Sequence, residues 1–245
     1  MQLGADLDGE RLSSSFGASV DLSSIVVDET SSSSHISIAV GGYGYARMFD
    51  YTLFDSTDGN DNTIYDGEWM PLGDRIDGDA LHDEFGFATS LSANGQIVAF
   101  GAPNHTYDAE DGSDDTHGLV KVYTYSTASK SWTQLGQDIG GYEQRFGHSV
   151  TLSNDGHTVI VGTYFLGITI PNTRVFRYDE TADTCNLLGE PIPGMSESDG
   201  SGSSTSMSSD GYMVAIGAVI KSITRVYTFT PYKVDVVLRS GGSAR

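Results

Sequence analysis

The sequence predicts an all-β fold, a β-propeller of four-stranded antiparallel blades, and three observations carry that prediction. The pair Phe-Gly recurs at Phe16-Gly17, Phe85-Gly86 and Phe146-Gly147. Each pair opens an alternating segment: Phe16, Ala18, Val20, Leu22; then Phe85, Phe87, Thr89, Leu91; then Phe146, His148, Val150, Leu152. A period of two marks a strand with one buried face. No stretch shows a 3.6-residue apolar period with caps, so helices have no place in the repeat.

The first strand of each unit starts at these pairs. A weaker fourth copy begins at Ser201-Gly202, with Ser203, Thr205 and Met207 alternating behind it. Asn94-Gly95, Asp155-Gly156 and Asp210-Gly211 then mark a tight turn, and they predict two-residue hairpins with positive φ angles. The second strand is an apolar run closed by a glycine: Ile38 to Gly41, Ile97 to Gly101, Val159 to Gly162 and Val214 to Gly217. In the first copy the hairpin is longer by a serine-rich insertion.

The third strand shares a pattern of basic, apolar, aromatic, any, aromatic. It reads Arg47 to Tyr51, Lys121 to Tyr125, Arg174 to Tyr178 and Arg225 to Phe229. Trp69 to Gly73 and Trp132 to Gly136 mark the fourth strand, and Cys185 to Gly189 is a degraded version. The unit is therefore four short strands over roughly 60 residues, the phrase of a propeller blade. Four repeats follow, approximately 5–73, 74–136, 137–189 and 190–245, within one domain spanning 1–245. Gln2-Leu3-Gly4 matches the tail of a fourth strand and predicts that residues 1–4 complete the last blade, unless they are the stump of a missing one; Val234 to Leu238 competes for the same place.

Composition narrows the function. With 33 acidic against 13 basic residues the chain carries a net charge of −20, which argues against nucleic acid as a partner. No apolar run reaches the roughly 18 residues of a membrane helix, so membrane insertion is not expected. One cysteine, Cys185, excludes an internal disulfide framework and reads as a core residue. The N-terminus lacks the basic and apolar regions of a signal peptide.

At these residues the chain resembles the FG-GAP repeat family, whose blades build the integrin α-chain head. Phe85-Gly86 with Gly101-Ala102-Pro103 carries both halves of the motif, and Phe16-Gly17 and Phe146-Gly147 match the first half. The Trp-x-x-Leu-Gly lead-in and the Leu-Ser-x-Asp-Gly turn are also similar to FG-GAP-like arrays in surface proteins of microbial eukaryotes. The resemblance implies an extracellular or cell-surface module for adhesion or ligand display. The family's calcium loop is missing: Ser92 to Gly95, Ser153 to Gly156 and Ser208 to Gly211 offer one or two Asp or Asn each, too few oxygens for calcium.

On the rim formed by the loops between blades and between second and third strands, acidic residues concentrate, 18 of the 33. The densest cluster is His105, Asp108, Glu110, Asp111, Asp114, Asp115 and His117. Asp108, Glu110, Asp111, Asp114 and Asp115 are the candidate metal ligands, with Ca2+ the cation that such carboxylate oxygens favour. Asp55, Asp58 and Asp61 form a second acidic loop on the opposite face. His148 alternates with Phe146 and Val150 on the innermost strand and reads as a packed or water-bonded histidine facing the channel. No histidine stands in a nucleophile arrangement, so no catalytic residue is assigned. The expected function is non-enzymatic binding of a protein or carbohydrate ligand at the acidic loop face, assisted by cations. The alternative is a secreted enzyme acting on polysaccharide, with a carboxylate pair at the channel mouth.

Overall fold

A computed structural model of the chain describes residues 2–10, 14–28, 33–54, 56–57, 63–64, 67–106, 117–140, 145–164 and 172–229. These residues form antiparallel sheets in the order that the repeat predicts. Blade 1 pairs Ser19–Leu22, Ser33–Gly42, Tyr45–Phe54 and Trp69–Pro71 in sequence. Blade 2 pairs Ala88–Leu91, Ile97–Ala102, Leu119–Ser126 and Ser131–Gln134. Blade 3 pairs Phe146–Leu152, Thr158–Thr163, Asn172–Asp179 and Thr184–Leu187. Blade 4 pairs Ser201–Met207, Met213–Ala218 and Ile223–Thr228; its expected fourth strand at Val234 to Leu238 lies outside the described residues. The single 3-10 turn among the described residues is Leu81–Asp83.

The sheets pack face to face along the chain, and two apolar clusters fill the gaps on either side of blade 2. Ala39 and Met48 of blade 1 meet Phe85, Leu91 and Phe100 of blade 2; Ile97, Ala99 and Val122 of blade 2 meet Phe146, Val150 and Leu152 of blade 3. The motif glycines are explained by this packing. A side chain at Gly41 would run into the Gly86 carbonyl of the next blade, and one at Gly101 into the Gly147 carbonyl. Both halves of the Phe-Gly…Gly phrase are thus glycine because the two backbones touch where blades converge on the axis.

The tryptophans serve the outer edge of the same interfaces. Trp132 Nε1 donates to the Leu72 carbonyl at 2.7 Å, and Trp69 Nε1 donates to the Leu3 carbonyl at 3.0 Å. Leu3-Gly4 therefore stands against blade 1 as Leu72-Gly73 stands against blade 2, in the place of a preceding blade's strand tail. Among the described residues no strand of the last sheet pairs with it. In blade 3, Cys185 takes the tryptophan's position, and Gln137 replaces the lost indole bond by pairing with both the Cys185 N–H and its carbonyl at 2.9 Å.

The tight turns differ from the two-residue hairpin expected. In each, the glycine N–H donates back to the serine carbonyl three residues earlier, as Gly95 to Ser92, Gly156 to Ser153 and Gly211 to Ser208. Only the glycines take positive φ, near +72 to +76°; Asn94, Asp155 and Asp210 do not. This is a type I turn followed by a left-handed glycine. The Asx side chain has another task. Asp155 Oδ1 accepts from Ser153 Oγ and the His157 N–H, while Ser153 Oγ accepts from the Thr158 N–H, and Asp210 and Asn94 repeat the scheme. Burial pushes the Asp155 carboxyl up, but its hydrogen bonds outweigh that and hold it below its ordinary value.

After each fourth strand the chain returns to its own blade. Ile76–Asp77, Ile139–Gly140 and Ile192–Pro193 pair with the start of the third strand and bury their isoleucines. This return aims the inter-blade loop at the channel rim, where the candidate site lies.

Candidate functional site

The five proposed ligands Asp108, Glu110, Asp111, Asp114 and Asp115 lie outside the described residues, as do Asp55, Asp58 and Asp61. The base of the acidic loop is described, and it is closed by the His117 N–H donating to the His105 carbonyl at 3.1 Å. His105 itself joins two acids from the preceding inter-blade loop: its Nδ1 lies 2.7 Å from buried Asp83 and 4.0 Å from Asp79. Ligand atoms of Asp79, Asp83 and His105 fall within 4.8 Å of one another, close enough to hold a cation. Lys121 Nζ, however, already sits 2.8 Å from Asp79 Oδ1 and 3.7 Å from Asp138. With a fixed ammonium on one of the three ligands, the group is already tied together by an ion pair and a histidine–carboxylate contact. The basic residue at the head of the third strand, which the sequence marks only as a pattern, supplies that ammonium.

Two other acids of the rim, Glu10 and Asp199, are also engaged. Glu10 bridges Arg47 at 2.6 Å and Arg75 at 2.7 Å. Asp199 caps its own turn, accepting from the N–H groups of Met195, Ser196 and Ser201. Asp199 occupies in blade 4 the place of Asp83 in blade 2, two residues before the strand's opening residue, which explains why both are buried.

A different arrangement lies on the inner rim. The second residue after the Phe-Gly phenylalanine varies from blade to blade as Ala18, Phe87, His148 and Ser203. The Phe87 and His148 rings are 4.9 Å apart, Tyr164 lies 4.9 Å beyond His148, and Tyr43 stacks on Phe87 at 6.1 Å. Four rings from three blades thus form one continuous run. The Arg145 guanidinium covers the Phe87 ring at 5.7 Å, with its terminal nitrogens near Asn104 and Glu84. Arg145 has left-handed backbone, φ +59°, but Ser15 and Glu84 share that conformation at the same repeat position, so it belongs to the blade and not to the site.

Beside the run opens a cleft of about 550 Å³, lined by His148, Tyr164, Ser203, Ser204, Ser222 and Thr224. Burial, with the Arg145 charge second, pushes the His148 imidazole down to about 4, and a hydrogen bond to the Ser203 backbone works weakly the other way. At neutral pH the ring is therefore uncharged. Its Nδ1 is buried with no hydrogen-bond partner. An orphaned ring nitrogen at a cleft is costly unless something polar completes it. Such a group can accept a hydrogen bond from a hydroxyl or take a proton from a water. The sequence places His148 on the innermost strand of its blade, where it packs between Phe87 and Tyr164, but the aromatic run escaped it. The visible signal was the variability of one inward position within an otherwise repeated strand.

Cys185 is buried, and burial followed by the Asp183 charge pushes its thiol up to about 11, so it is an inert packing group.

No family model and no curated protein match the chain. Solved structures do match. A proposed 6-phosphogluconolactonase from Bacteroides fragilis aligns over 90% of this chain and 54% of its own, with TM-score 0.53 and 9% identity. A second, from Bacteroides uniformis, aligns over 90% and 54% with TM-score 0.53 and 12% identity. KlAtg21, solved in complex with the coiled coil of AgAtg16, aligns over 81% and 51% with TM-score 0.51 and 15% identity. At such identities the likeness is one of fold. The chain spans about half the length of the structures it matches.

Proposed function

We propose that the inner-rim cleft takes a sugar-derived ligand and that the chain acts on it as a hydrolase, with His148 as the group beside the reacting atom. The observation that carries this reading is the uncharged, partly buried His148 with an orphaned Nδ1, set between Phe87 and Tyr164 at the wall of a cleft where hydroxyls of Ser203, Ser204, Ser222 and Thr224 alternate with apolar Ala218, Val219 and Ile223. Aromatic faces suit the C–H faces of a sugar ring, and hydroxyl-bearing walls suit its rim. Arg145 adds a positive charge near the cleft for an acidic substituent.

The chemistry of His148 favours an acyl bond over a glycosidic one. A base with a pKa near 4 removes a proton weakly, which suffices only for a reactive carbonyl such as that of a lactone. Water would add to the carbonyl carbon while the His148 ring, turned so that its buried Nδ1 meets the cleft, takes its proton. The ring C–O bond would then break, and the same proton would return to the departing alkoxide, giving a hydroxy acid. Glycoside cleavage would instead need two free carboxyl groups flanking the bond. Among the described residues, the close carboxyls of this rim, Asp79 and Asp83, are committed to Lys121 and His105. The proposed lactonases among the solved structures share the fold and agree with this direction, although the argument rests on the cleft.

The test is a hydrolysis assay over a panel of aldonic acid lactones, phosphorylated and plain, read by proton release. A rate above buffer that falls at least about 100-fold in His148→Gln, with an unchanged far-ultraviolet spectrum, supports the proposal. No turnover by the native chain overturns the catalytic part. Saturable binding of the free sugar acids without turnover would then favour the second reading, ligand display, which the FG-GAP resemblance implies.

A further inference from the structure

We propose that two copies of this chain close into one ring, the last blade of each packing on the first blade of the other. The inference rests on the repeat and is independent of the cleft's chemistry.

Every internal interface joins a trailing face to a leading face, and each face has a fixed membership. On the leading side, Val150 is 8% exposed in blade 3, and Leu91 and Leu152 are each 7% exposed. Their counterparts in blade 1, Val20 and Leu22, are 59% and 53% exposed. On the trailing side, Ile97 of blade 2 is 8% exposed, and Val122 and Val175 of blades 2 and 3 are each 2% exposed. Their counterparts in blade 4, Met213 and Val226, are 49% and 55% exposed. The two bare faces are therefore the two halves of one interface that the chain itself forms three times.

Backbone groups tell the same story. A side chain at Gly86, Gly147 or Gly202 would stand 2.6 Å from a carbonyl of the preceding blade, whereas at Gly17 it would meet nothing within 4 Å. Ser19 Oγ donates to the Gly86 carbonyl at 2.7 Å and Ser149 Oγ to the Gly202 carbonyl at 2.8 Å. Ser204, their counterpart in blade 4, is exposed and makes no such bond among the described residues. At the turn rim, a ladder runs from the Ser24 N–H to the Ala93 carbonyl, from Ala93 to Asn154, and from Asn154 to Ser209, each at 2.9 Å. It stops at the Ser209 N–H. The Ser24 carbonyl of a second copy is the acceptor that continues it.

The occupant follows from size and complementarity. The arc spans 54% of the propeller chains it matches, so a second copy supplies about what a ring lacks. The partner's leading face is the same surface that blades 2, 3 and 4 present to their predecessors. Leu3-Gly4 already holds, against blade 1, the place of a strand tail from a preceding blade, which in the ring is blade 4 of the partner. A head-to-tail contact made twice about one two-fold axis is closed and leaves no free edge. The ring would also set the partner's Gly17-Ala18-Ser19 against Ser204 and Gly217, giving the cleft its missing wall.

The experiment is sedimentation velocity on the full 245-residue chain, native and with Leu22→Asp or Val226→Asp. Both side chains are exposed in the single chain, so neither change disturbs its own core. We expect a native mass twice 26.1 kDa, independent of loading concentration. Each variant should weaken association by at least about 100-fold and sediment as a folded single copy, because one substitution strikes both junctions. A native chain that stays single overturns the proposal, and so does a mass that climbs past two copies or a dimer indifferent to both variants.

Discussion

The turn rim and the loop rim of this protein lie at opposite ends of the same strands, yet they are built on opposite rules. On the turn rim Ser92, Ser153 and Ser208 repeat one hydrogen-bond scheme with Asn94, Asp155 and Asp210, and a backbone ladder ties neighbouring turns together. On the loop rim the described inter-blade connections share a returning isoleucine and a left-handed residue, then each takes its own contacts. One holds the Asp83, His105 and Lys121 cluster, another points Arg145 at Phe87, and a third folds around Asp199. Identity marks what every blade needs in order to stack. Variation marks where a scaffold held elsewhere leaves side chains at liberty for chemistry.

Five changes would break or sharpen that contrast. The largest effect is expected at the axis. Gly101→Val drives a side chain into the Gly147 backbone, which cannot give way without opening the interface, and should cost about 4 kcal/mol or more by chemical denaturation. Gly217→Val in blade 4 meets only Ser204 within its own chain, so in the non-associating Leu22→Asp background it should cost far less; equal losses there would refute the interface explanation. Next, Trp132→Ala removes a partly buried indole and its bond to Leu72, for about 3 kcal/mol in the same assay.

The third effect is a pH dependence. His148 titrates near 4 in the folded chain and near 6.5 when unfolded. The unfolded chain therefore binds a proton that the folded one refuses. Stability is fully present above about pH 6.5 and declines as pH falls toward 4, by about 2 kcal/mol from this residue. Melting curves of the native chain and His148→Gln across that window should converge at low pH, and parallel curves would show that another group dominates.

Smaller still, Ser153→Ala strips one turn of both its Asp155 and Thr158 bonds and should cost about 1.5 kcal/mol. At the far end of the scale, Asp79→Asn removes the exposed partner of buried Lys121, which keeps Asp138 at 3.7 Å, and should cost about 1 kcal/mol in the same assay. A loss as large as that of Ser153→Ala would mean that the loop rim carries more of the fold than its irregularity suggests.

The blade phrase was readable from residue types because its parts act locally or between adjacent strands. Alternation shows the buried face of Phe146 to Leu152, and an Asp-Gly after Leu-Ser shows a turn. The turn's type was misread, since Asp155 and Gly156 look like a two-residue hairpin until the Ser153 side chain is seen bonding inside it. His148 could be placed on the innermost strand by counting, but not beside Tyr164, which arrives from a different loop.

By itself, then, the sequence determined the order of the four main strands in blades 1 to 3 and of the three described strands in blade 4, and the glycines at which blades meet. These follow from period and turn chemistry, which need no knowledge of what lies opposite. Only the tertiary structure decided which acids are already paired, which histidine loses its charge, and which of several equivalent apolar residues are bare. Leu22 and Leu152 occupy the same place in the same phrase, yet one is exposed and the other buried. Burial is a property of the neighbour, and a repeat cannot tell from within its own sequence whether a neighbour is there.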